Sequence, residues 1–153
     1  MRQIEAAMGS IVCATRGGEG SRAVQAATIQ RAKEADSPLI FLYVADPNSL
    51  DEDIDEGLKT AVLAELHWMG ETLLRIAQKR ADAEHLTSHV AIREGSVPQE
   101  IIRFVREVEA DLLLLGAPRG TTANVFGDDA IEQLARQIQT EAGVRVEIVR
   151  PEE

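Results

Sequence analysis

The chain has a single cysteine, Cys13, among 153 residues, so no intrachain disulfide can form and no cysteine-based metal site is suggested. Aromatic residues make up only 3% of it. The core must therefore be built from Ala, Val, Ile and Leu, which favours helices packed on aliphatic strands. Basic residues are also scarce, 16 Lys and Arg against 26 Asp and Glu, for a formal charge of −10. That balance argues against nucleic acid as a main partner, because phosphate contacts need Lys and Arg surfaces. No stretch approaches the roughly 18 apolar residues of a membrane span. Residues 1–8 (MRQIEAAM) are too short and too polar to read as a signal peptide. A cytoplasmic protein with no membrane partner is the expectation.

A hydrophobic content of 44% suits a globular chain. The length predicts one domain, set over residues 10–150 after an N-terminal extension of residues 1–9. Ser10–Thr15 and Leu39–Val44 are short, continuous apolar runs that read as buried strands. Thr87–Arg93, Asp111–Leu115 and Arg145–Val149 read as three further strands. Helices are expected between them. The first starts near Glu19 or Ser21, carries Val24, Ala27, Thr28 and Arg31 on one face, and stops at Asp36-Ser37-Pro38. The second steps through Leu58, Val62, Leu66, Met69, Leu73, Ile76 and Arg80, an apolar stripe at helical spacing until its last turn. The third opens at Val97-Pro98, where proline needs no N–H, and turns Ile101, Ile102, Val105 and Val108 inward. The fourth runs from about Asp129 to Glu141, before Gly143.

Strands alternating with helices predict an α/β fold: a single-domain, three-layer sandwich with a five-stranded parallel sheet and helices on both faces. Strands apolar throughout agree with burial on two sides. Ligands of such sheets sit beyond the carboxyl ends of the strands. The loops after the first and fourth strands, Arg16–Gly20 and Gly116–Gly127, are where a site is expected.

Several other features have ready structural explanations. Asp51–Gly57 is acidic like a calcium loop, but its glycine falls one place late and Val62 stands where the closing Glu should be. Cys13 sits inside an apolar strand and reads as an inert thiol. His67, His85 and His89 lack metal-ligand spacing. Trp68 stands beside the long helix's stripe, either covering the core edge or facing a partner. No Ser-His-Asp order or catalytic carboxylate pair stands out, so catalysis is not expected.

Three segments together resemble the universal stress protein family. They are Ile11–Ser21 (IVCATRGGEGS), Arg93–Ile102 (REGSVPQEII) and Ala110–Gly116 (ADLLLLG), with Val144–Arg150 closing the match. The resemblance covers about residues 9–150. It implies a Rossmann-like sandwich of the adenine nucleotide alpha hydrolase-like type, and a homodimer formed through the last strand at Val144, Val146 and Ile148. It implies a stress-response role with ATP or AMP as ligand in some members, and magnesium only alongside nucleotide. The candidate nucleotide contacts are Thr15, Arg16 and Gly17 after the first strand and Val44 at the end of the second. After the fourth strand they are Leu115, Gly116, Arg119, Gly120, Gly127 and Asp128.

The chain departs from the pattern of nucleotide-binding members. Gly120 is offset by one residue, and Gly116 to Gly127 is two residues shorter than that pattern. Asp128 replaces the expected Ser or Thr, and Arg16 replaces an Asp. An ionised carboxylate cannot donate to phosphate. At 4 Å it repels a unit negative charge by about 1 kcal/mol in water and about 4 kcal/mol at an effective dielectric of 20. Asp128 or Asp129 also suits a helix N-terminus as a cap. Arg16 and Arg119 act the other way: each could bind an anion or pair with nearby carboxylates. The expected function is a universal-stress-type regulatory protein with weak or lost adenine-nucleotide binding. The alternative is an ATP- or AMP-binding member with slow hydrolysis or phosphoryl or adenylyl chemistry.

Overall fold

The computed structural model describes residues 9–15, 20–47, 55–117 and 130–150. Nine elements follow one another: β1 (Ser10–Ala14), α1 (Gly20–Ala35), β2 (Leu39–Ala45), α2 (Glu56–Ala83), β3 (Ser88–Glu94), α3 (Val97–Glu107), β4 (Ala110–Gly116), α4 (Ala130–Ala142) and β5 (Arg145–Val149). The strands form one parallel sheet in the order β3-β2-β1-β4-β5. Every expected element is present, with ends shifted by no more than a few residues.

Alternation along the strands divides the core into two layers. Val12, Ile40, Leu42, Leu113 and Leu115 pack against Ile101, Phe104 and Val105 of α3 and Ile131 and Ile138 of α4. Their neighbours Cys13, Phe41, Tyr43, Leu112 and Leu114 pack against Val24 and Ile29 of α1 and Leu74, Ala77 and Ala81 of α2. The central strands are thus covered on both faces, which is why they carry no polar alternation.

The long helix seats itself differently from its expected stripe. Its buried face is Gly70, Leu74, Ala77 and Ala81, with Leu63, Leu66 and Leu73 partly buried. Leu58, Met69 and Ile76, expected inward, are 55%, 44% and 41% exposed. The helix is turned because its small residues let it approach the sheet. A Cβ on Gly70 would lie 2.5 Å from Cδ2 of Tyr43. Trp68 is 65% exposed, so it does not cover the core edge. On α1 the buried residues are Val24, Gln25, Thr28, Ile29 and Ala32. Arg31 lies at that helix's shoulder, where its Nε and NH2 donate to Glu147 of β5 at 3.1 and 2.8 Å.

Helices end in left-handed residues. Asp36, His85 and Glu109 follow α1, α2 and α3 at φ of 54°, 64° and 52°, and Gly143 follows α4 at 70°. Only the last of these stops was legible as a glycine.

Candidate functional site

The strand order reverses between β1 and β4, so the two strands lie side by side while their following helices pack on opposite faces. A crevice at the carboxyl ends is the consequence. It is lined by Ala14 and Thr15 from β1 and its exit, Leu42 and Val44 from β2, and Leu115 and Gly116 from β4. Val97 and Ile101 of α3 and Ile131 and Leu134 of α4 close its sides. The cavity is about 30 Å³. That is about one water's share of liquid volume and far below the roughly 300–1,000 Å³ of ordinary ligand pockets.

Among the described residues the lining is almost wholly apolar, and its one polar side chain, Thr15, already accepts a hydrogen bond. Thr15 is buried, and Gln25 Nε2 donates to its Oγ1 at 3.1 Å. Arg80 of α2 in turn donates to Gln25 Oε1 through a short contact. The order of donors is dictated by chemistry. A guanidinium can only donate, so the amide oxygen of Gln25 must face Arg80 and its NH2 must face Thr15. The Thr15 hydroxyl oxygen therefore faces Gln25 of α1. Burial, and secondarily the charge of Arg22, holds Arg80 below its ordinary pKa.

Backbone donors at these strand ends are also occupied. Thr15 N–H donates to Leu42 C=O at 2.7 Å, and Ala117 N–H donates to Val149 C=O at 2.9 Å. Polar contacts to a ligand would have to come from beyond this floor.

Of the residues expected at a nucleotide site, Thr15, Val44, Leu115 and Gly116 meet around this one cleft. Arg16, Gly17, Arg119, Gly120, Gly127 and Asp128 lie outside the described residues, as does the acidic stretch at 48–54. Sequence reasoning did not single out Val97, Ile131 or Leu134 as cleft residues. Their helical apolar spacing was the available signal, but it marks core and cleft alike. Gln25 carried no signal, since it is an ordinary polar residue in a helix, and Arg80 was read only as the polar end of the α2 stripe.

The candidate interface residues divide in the same way. Val144 is 6% exposed and sits in the core of its own chain, which removes its side chain from any partner surface. Val146 and Ile148 are partly buried against the α3–α4 layer. β5 is an edge strand, paired only with β4 among the described residues. Among the described residues no group of three or more His, Cys, Asp or Glu side chains could hold a metal ion. His67 instead contacts Glu94 at 2.8 Å. No helix of the described residues is long and apolar enough to cross a membrane.

A five-stranded parallel sheet with helices on both faces and a crevice at its switch point defines a Rossmann-like α/β protein. The model of the universal stress protein family matches residues 8–146. This chain belongs to that family. The solved universal stress protein UspA from Lactobacillus plantarum superposes with a TM-score of 0.75 at 17% identity, over 95% of this chain and 99% of that one. A universal stress protein in complex with cAMP gives 0.60 at 23% identity, over 94% and 98%. A family protein from Arabidopsis thaliana with AMP bound gives 0.60 at 14% identity, over 94% and 93%. A comparison with curated protein sequences found no match.

Proposed function

We propose that this protein is a non-catalytic regulatory member of its family, homodimeric through β5, in which adenine-nucleotide binding is weak or lost. The observation that carries the reading is the floor of the cleft: among the described residues it is apolar, encloses about 30 Å³, and its one polar side chain accepts from Gln25. The shortened glycine loop and Asp128 point the same way. At the position where nucleotide-binding members of the family carry a hydroxyl residue, this chain has Asp128.

The competing reading is a nucleotide-binding member with slow hydrolysis or phosphoryl or adenylyl transfer. Its support is that solved relatives hold cAMP and AMP, and that Arg16 and Arg119 could replace the missing hydroxyl. Isothermal titration with ATP and with AMP, each with magnesium, separates the two. The proposal expects no heat of binding up to millimolar ligand from folded protein. A micromolar dissociation constant abolished by Arg16→Ala or Arg119→Ala supports the competitor.

A further inference from the structure

The outward face of α2 is built to meet itself. The exposed large hydrophobic residues are concentrated on this helix, and Trp68 and Ile76 among them lie opposite the buried face of Gly70, Leu74, Ala77 and Ala81. Thr72 stands midway between Trp68 and Ile76, four residues from each. Glu65 and Lys79 flank it at seven residues, and Ala61 and Ala83 at eleven. Steps of three and four residues keep all of these on one helical stripe. Apart from the half-buried Thr72, every one of them is exposed.

The stripe is therefore palindromic in chemistry: small, charged, apolar, central, apolar, charged, small. Its two charges have opposite sign. A two-fold axis through Thr72, perpendicular to the helix, would lay a second copy antiparallel on the first. Trp68 of one copy then meets Ile76 of the other, and Glu65 meets Lys79. The alanines at the ends let the backbones close. Thr72 places no polar demand on the contact, because its hydroxyl already donates to Trp68 C=O at 3.1 Å. An isologous interface requires this self-complementarity. A parallel pair would instead set Glu65 on Glu65 and Lys79 on Lys79.

We infer that α2 is a self-association surface, pairing two copies antiparallel about Thr72. This contact is separate from the proposed pairing at β5. α2 packs on β2 and β3, and β5 is at the opposite edge of the sheet. Two such two-fold contacts in one protein would link dimers into larger assemblies.

Trp68 is the protein's only tryptophan, so its fluorescence reports this surface alone. The experiment is a concentration series followed by tryptophan emission and sedimentation velocity. Emission is expected to move to the blue as the protein associates. Trp68→Ala should weaken the association, followed by sedimentation, by about thirtyfold or more, the scale of a central aromatic anchor. Glu65→Lys and Lys79→Glu should each weaken it, and the double reversal should restore it. Restoration cannot come from damage to the fold, because both charges are exposed. Emission that stays unchanged while the protein is monomeric, or while it associates through β5 alone, overturns the proposal. So does a double reversal that associates no better than either single variant.

Discussion

At Cys13 the sheet encloses a thiol on every side. Burial pushes its pKa up to about 12, and a hydrogen bond with Thr28 offsets only part of that. The unfolded chain releases the same proton near the ordinary 9.0. Below that pH both states keep the proton and stability is complete. As pH rises from about 9 toward 12 the unfolded state ionises first, so the folded state loses stability. The expected result is a denaturant midpoint that falls across this window, and falls less in Cys13→Ala. Iodoacetamide should label the native thiol at neutral pH only after unfolding. Rapid labelling of folded protein would show that the β1 layer opens easily.

Gln25 is the other residue where chemistry and packing coincide. It was not legible beforehand. A glutamine in a helix is normally a solvated residue, and only the approach of Thr15 from β1 and Arg80 from α2 makes it a buried bridge. The strand ends that carry Thr15, Val44, Leu115 and Gly116 could be located because continuous apolar runs mark the strands. Contacts between elements, such as Arg31 with Glu147, have no pattern within one segment to reveal them.

Among the elements, α2 shows how a helix can be recognised and still be turned wrongly. Periodicity weighs large apolar residues, and Leu58, Met69 and Ile76 drew the stripe toward themselves. The sheet selects for close approach instead, and Gly70, Ala77 and Ala81 provide it. Gly70→Ala is the direct check. Alanine gains up to about 1 kcal/mol of helix propensity over glycine. The new methyl would overlap the Tyr43 ring, and overpacking typically costs about 1–3 kcal/mol. We expect a net loss of stability in urea unfolding. A variant more stable than the parent would mean that α2 is not seated on Tyr43. The central strands needed no such correction, since being apolar on both sides leaves only the buried reading open; β3, with Val90 42% exposed, and β5 are only partly covered.

For the whole molecule, sheet order decides what is left for function. β1 and β4 are spent on the core and the cleft, while β3 and β5 remain as edges among the described residues. An unpaired edge invites another strand. If β5 pairs with a second copy, Val146→Lys with Ile148→Lys should reduce the mass seen by light scattering toward the monomer, with the far-UV circular dichroism of the parent retained. A folded variant of unchanged dimer mass would remove β5 as the interface. The alternation of strands and helices and the layering could be read from the sequence; the order in which the strands lie in the sheet could not. Nor could the size of the cleft, because it depends on how two helices and three strand ends close around one point.

That cleft bears the central claim, and thermal unfolding with and without 1 mM AMP tests it most directly. Ligand that binds only the folded state adds RT ln(1 + [L]/Kd) to stability. A dissociation constant of about 10 µM would contribute about 2.7 kcal/mol, raising Tm by roughly 2–4 °C for each kcal/mol. No resolvable change in Tm is expected with AMP, or with ATP and magnesium. A rise of several degrees with either nucleotide, absent with inorganic phosphate, would contradict that claim and return this protein to the nucleotide-binding members of its family.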